Sequence, residues 1–185
     1  MFILRVMYIL GIDPGSRTTG WAVIEVEGRK FKYIDSGVLK FDKIPEFLDR
    51  LATISMSIKD IVSLHKPDEI SIESLIYVKS VPALSKLAQA RGALIAGLSE
   101  KYQGKITEYS PNLIKSTVTG HGHATKEGVD KALSMIFGKI TFKSHDESDA
   151  LAIALCHALN RGQRAKIKGK STRTKARTLK EVFSK

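Results

Sequence analysis

The chain has 185 residues, 43% of them hydrophobic, which is enough for one globular domain with a core. Its single cysteine, Cys156, excludes an intrachain disulfide and fits a reducing compartment, and no apolar run approaches the ~20 residues that cross a bilayer. The formal charge of +11 is uneven: residues 161–185 hold ten Lys/Arg against one acid, so a nearly neutral body ends in a basic segment suited to a polyanion.

Residues 1–10 are apolar but interrupted by Arg5, and they run into Gly11-Ile12-Asp13-Pro14-Gly15 without a small-residue cleavage site. They do not read as a secretory leader, Met7 offers an alternative start, and a cytoplasmic protein is expected. Residues 6–12 predict a first strand that ends at Asp13. A turn rich in Pro, Gly and Thr leads into a second strand over 19–27. Glu27-Gly28-Arg29 reverses the chain, and 31–41 gives a third strand with a bulge expected at Gly37. Three strands joined by short turns form an antiparallel meander. Apolar residues recurring at three- and four-residue steps from Ile44 to Val62 predict a helix over 44–65, broken by Lys66-Pro67-Asp68. Glu69 to Leu75 reads as a fourth strand. It follows a helix, so a right-handed crossover should return it parallel to an earlier strand.

A second helix is expected over 80–102, with Ala90, Gly92, Ala93 and Gly97 making one side small enough for close packing on the sheet or on another subunit. Lys105–Tyr109 is a short fifth strand. Ser110-Pro111 combines a cap with a first-turn proline and opens a helix to Val118. The loop Thr119-Gly120-His121-Gly122-His123 follows, then a helix over 126–137 stopped by Gly138. The last helix starts near Ser144–Asp146 and runs to about Arg161, where Gly162 should end it. Residues 1–160 thus form the globular domain and 161–185 a basic segment expected to be flexible.

Acidic residues cluster where buried elements end. Asp13 ends the first strand and Glu73 nears the end of the fourth, while Asp146 and Asp149 share one face of the last helix's first turn. Helix capping alone accounts for an acid at Asp146. If strands one and four are parallel neighbours, however, all four carboxylates can meet at one sheet edge. Such a group persists only with cations. A set of oxygen ligands selects a hard ion such as Mg²⁺ or Mn²⁺, and two such ions suit in-line attack on a phosphodiester.

Gly11-Ile12-Asp13-Pro14-Gly15-Ser16-Arg17-Thr18-Thr19-Gly20 resembles the opening motif of the RuvC family of Holliday junction resolvases. Gln89-Ala90-Arg91-Gly92 and Asp146-Glu147-Ser148-Asp149-Ala150-Leu151-Ala152 resemble two further motifs in the right order, and Tyr109-Ser110-Pro111 with Ile114-Lys115 resembles the family's basic-loop region. The resemblance spans roughly residues 7–160. It implies an RNase H-like α/β fold, a five-stranded mixed sheet with the first three strands antiparallel, flanked by helices. It further implies a homodimeric endonuclease that nicks four-way junction DNA symmetrically during recombination and repair, using Mg²⁺. RuvA and RuvB branch-migration proteins are the expected partners.

By the same resemblance, Asp13, Glu73, Asp146 and Asp149 are the catalytic, metal-binding acids, and Lys115 and Lys126 contact DNA near them. Arg91 and Tyr77 complete the expected DNA contacts. Tyr77 departs from the family pattern: the aromatic expected three residues after Glu73 is replaced by Ile76, and Tyr77 comes one residue later. His145 can position water or cap the helix. Two other readings remain: an actin-like ATPase relative, for which the chain lacks a second lobe, and a non-catalytic junction binder, against which the intact acid set argues.

Overall fold

A five-stranded sheet lies at the centre of the computed structural model, which describes residues 5–75, 80–98 and 100–167. The strands β1 (Met7–Asp13), β2 (Thr18–Glu27) and β3 (Lys30–Lys40) form the antiparallel meander, while β4 (Glu69–Glu73) and β5 (Ile106–Tyr109) run parallel to β1. The order is β3-β2-β1-β4-β5. The helices are α1 (Phe47–His65), α2 (Val81–Gly97), α3 (Pro111–Thr119), α4 (Lys126–Phe137) and α5 (His145–Ile167). This is the α/β, RNase H-like architecture.

Strand alternation divides the core into two layers. Leu10, Ile12, Trp21, Val23, Ile70 and Ile72 pack on one face with Ile54 and Ile58 of α1 and Ala90 and Leu94 of α2. Ile9, Ala22, Ile24 and Val26 pack on the other face with α5, α3 and α4. Each fully buried Ile or Leu contributes about 1.5–3 kcal/mol relative to exposure. The run Ala150–Cys156 is buried on every side, because the sheet lies beneath it and Ile114, Val118, Val129 and Leu133 lie above.

Two glycines set how closely α5 approaches. A Cβ on Gly11 would overlap the Ala150 carbonyl and come within 2.6 Å of Ala154 N; one on Gly20 would overlap the Asp146 carbonyl. The first turns of α5 therefore sit directly on β1 and β2. Further along α5, Ser71 Oγ donates to Ile153 O at 3.3 Å, and His157 Nε2 lies 2.7 Å from Glu69 Oε2 with Nδ1 2.9 Å from the Tyr109 hydroxyl. His157 is only 3% exposed, and Arg161 Nε adds a 3.4 Å ion pair to the same Glu69 oxygen.

Several boundaries differ from the sequence pattern for physical reasons. Gly37 is not a bulge: it pairs regularly with Trp21, and the register shift lies between Val23 and Ile24. Gly37 is small because a Cβ there would come within 2.8 Å of the Trp21 indole. α1 begins at Phe47 rather than Ile44, since Pro45 disfavours helical geometry at the residue before it. β4 ends at Glu73, and α2 stops at Gly97, followed by a 3₁₀ turn (Glu100–Tyr102). Gly97 presses on Ser55 and Ile58 of α1, so its smallness serves contact between α1 and α2, while Gly92 meets open space. α5 continues through Gly162 to Ile167. One helical glycine disfavours the helix by only about 1 kcal/mol, which the packed turns before it offset.

Gly20→Ala is expected to lower stability by about 1–3 kcal/mol or more, whereas Gly92→Ala, which meets open space in α2, is neutral or raises it by about 0.5–1 kcal/mol. Urea unfolding of both checks this, and equal losses would refute the close-approach account. The hydrogen bond from His157 holds the Glu69 carboxyl below its ordinary 4.5, against the opposing effect of burial. That stabilisation is complete above the ordinary value and is lost as pH falls through the lowered native one. Glu69→Gln should therefore be less stable at neutral pH and lose less melting temperature than wild type on acidification below about pH 4.5.

Candidate active site

The carboxyl ends of β1 and β4 emerge side by side. Ile12 pairs with Ile72, so Asp13 and Glu73 follow at the same level, and Asp13 sits opposite Gly20 on β2. Both acids lie on the α5 side of the sheet: Asp13 is two residues from Gly11, which α5 covers, and Glu73 two residues from Ser71, which binds an α5 carbonyl. The turn between Asp13 and β2 is closed by Thr19, whose Oγ1 donates to Gly15 O at 3.2 Å. Because the Asp146 backbone rests on Gly20, α5 delivers Asp146, and Asp149 a turn later, to the same edge. Three separate elements thus converge four carboxylates.

The acids act on one another. Burial, then the charges of Glu73, Asp149 and Asp146, push the Asp13 carboxyl up to about 7, while Lys126 opposes the shift. Burial and then Asp149 raise Glu73, countered by Lys115 and Lys126. Asp149 is raised chiefly by burial; Lys126 pulls it down, and Asp130 and Asp146 push it up. Among the described residues, no three His, Cys, Asp or Glu side chains stand close enough to grip an ion as they are. The carboxylates share a sheet edge and a common field.

The two lysines singled out by sequence flank this edge. Lys126 Nζ lies 3.5 Å from Asp149 Oδ2, and Lys115, half-buried on α3, bears on Glu73. Arg91, expected at the DNA, is drawn inward in the free chain. Its side chain is only 10% exposed; Nη2 lies 2.7 Å from Glu108 Oε1 and Nε donates to the Glu73 carbonyl at 3.4 Å. It braces the end of β4 instead of presenting charge to solvent. Tyr77, and the basic segment beyond Ile167, lie outside the described residues. His145 opens α5 and stands near Glu127, whose acidity it strengthens slightly. His121 and His123 are exposed in the loop before α4. Cys156 is buried, its thiol pushed up to about 12 by that burial, as befits a core residue.

Sequence reasoning missed two acids here. Glu147 is only 4% exposed and accepts from Ser36 Oγ at 2.9 Å, tying the first turn of α5 to β3. Asp130 lies one turn beyond Lys126 on α4, close enough to act on Asp149. The four-residue spacing of Lys126 and Asp130 was the available signal.

The family model for the crossover junction endodeoxyribonuclease RuvC matches residues 9–157. The enzyme of that name from Allorhizobium ampelinum is 43% identical over 155 residues, covering 83% of this chain and 90% of the relative. That from Agrobacterium fabrum is 40% identical over 159 residues, covering 85% and 92%. Among solved structures, Thermus thermophilus RuvC in complex with a Holliday junction substrate superposes with a TM-score of 0.75 at 30% identity, covering 82% of this chain and 93% of that one. The yeast mitochondrial Holliday junction resolvase, at 16% identity and a TM-score of 0.59, shares the fold. The chain belongs to the RuvC family of crossover junction endodeoxyribonucleases.

Proposed function

We propose that this protein is a metal-dependent Holliday junction-resolving endonuclease acting in the cytoplasm during DNA recombination and repair, with Asp13, Glu73, Asp146 and Asp149 as its catalytic acids. The observation that carries the reading is the convergence of four carboxylates from β1, β4 and α5 at one edge, with Asp13 pushed up to about 7, within a RuvC fold. The donor set fits a divalent ion of the Mg²⁺ type: its oxygens are hard, and Asp13, Glu73 and Asp149 are raised by burial first and by neighbouring negative charge after it, a field that a cation would relieve. Two ions would balance four carboxylates. When bound, such ions lower the pKa of an attacking water and stabilise the departing oxygen of a phosphodiester.

The chain's own residues supply the rest. Asp13, half-buried at the end of β1, is held by the strand and by the turn that Thr19 closes. Arg91 holds the Glu73 backbone in place. Lys115 and Lys126 offer the phosphate backbone positive charge beside the acids. The basic segment adds sequence-independent, salt-sensitive attraction for DNA. Symmetric cleavage of a two-fold junction requires two copies of the site, so a homodimer is proposed. Its interface is assigned to the exposed side of α2, where Val81 is 70% exposed, since Ala90 and Gly97 face α1. RuvA and RuvB branch-migration proteins would be partners upstream of cleavage.

A synthetic four-way junction, beside a linear duplex of matching sequence, tests this with Mg²⁺ or EDTA. Paired symmetric nicks in the junction with Mg²⁺ are expected, and equal cutting of duplex would remove the junction specificity. Asp13→Asn, Glu73→Gln and Asp149→Asn should each lose roughly 100-fold or more in cleavage while retaining junction binding. Full cleavage by any of them would overturn the assignment. Lys115→Ala should be slowed without being inactivated.

A further inference from the structure

The first turn of α4 faces the carboxylate edge in a defined pose. Thr125 caps it, Oγ1 accepting from Gly128 N at 3.2 Å, so Lys126 is the first helical residue and its backbone is anchored. Its Nζ reaches Asp149 Oδ2 at 3.5 Å. Its charge also bears on Asp13 and Glu73, so one ammonium serves three of the four acids. The side chain is 59% exposed and Asp149 38% exposed, so the pair is open to exchange rather than locked in the core. A lysine is a compact charge on a flexible four-carbon stem, able to leave one partner for another without moving its helix.

We infer that Lys126 is the resident counter-cation of the metal-free site: divalent ions and the Lys126 ammonium compete for the carboxylates around Asp149, so metal loading releases the lysine to a substrate phosphate. The inference rests on the assignment of the four acids as metal ligands. A divalent ion at Asp149 repels the ammonium and takes over the charge it was neutralising. By linkage, whatever the ion does to the ion pair, the ion pair does in equal measure to the ion. Lys126 therefore weakens metal binding in the free protein, and an empty site presents DNA with less available positive charge than a loaded one.

Calorimetric titration of the full chain with Mn²⁺, without DNA, reads this directly. Lys126→Ala should bind Mn²⁺ about three- to tenfold more tightly than wild type, the scale of one unit charge removed at this distance in a water-like dielectric. Lys126→Arg, which keeps the charge, should stay within about twofold of wild type. Unchanged or weaker Mn²⁺ binding by Lys126→Ala would overturn the inference while leaving the ligand assignment standing. Equal binding by wild type and Asp13→Asn would overturn the ligand assignment, and the inference with it.

Discussion

Mutual repulsion among four carboxylates, held together by packing that they do not control, is the constraint on which the site depends. Asp13 is pushed up to about 7, by burial first and then by the charges of Glu73, Asp149 and Asp146. Left to themselves the acids would separate. They cannot, because each is fixed by an element whose position is set elsewhere. β1 and β4 are locked in register by Ile12 and Ile72, and α5 is pressed onto Gly11 and Gly20 by apolar contacts along Ala150–Cys156. The glycines are therefore functional at one remove: they touch no substrate, yet without them α5 would stand off from the sheet and carry Asp146 and Asp149 away.

Polar anchors divide the work along α5. Glu147, taking a hydrogen bond from Ser36, fixes its first turn to the outer strand β3. His157 and Arg161, gathered on Glu69, fix the far end to the start of β4. Buried charged groups of this kind are tolerated because each has a partner. Asp13, Glu73, Asp146 and Asp149 lack that relief among themselves, and the contrast sets them apart from the partnered Glu147 on the same helix. Lys126 and Lys115 are the exceptions at the rim, and both lie on the helices that follow β5.

Much of this was legible in the sequence. Alternation and short turns read out the meander, and the strand–helix–strand order called for β4 parallel to an earlier strand; the structure makes that strand β1 and so sets Asp13 beside Glu73. The i, i+3 spacing of Asp146 and Asp149 gave the shared face. What escaped was set by tertiary contact. Gly37 carries no bulge because its smallness answers Trp21 across the strand pair. Arg91 sits in a motif that resembles a family signature, and its guanidinium meets Glu108 of β5, a partner that no spacing within α2 announces. Glu147 carries no local sign of burial, and its hydrogen bond with Ser36 of β3 comes from tertiary contact. Gly162 did not stop α5, because local propensity yields to a helix already packed over several turns.

The measurement that tests the central claim most directly is thermal unfolding of wild type and Asp13→Asn at pH 8, in EDTA and in Mg²⁺. An acid raised to about 7 is ionised at that pH at a cost to the native state. Removing its charge should therefore raise the metal-free melting temperature. Wild type should gain stability with Mg²⁺, and Asp13→Asn should gain much less. A metal-free Asp13→Asn protein less stable than wild type would contradict the account, because the carboxylates would then not be held together against their own repulsion.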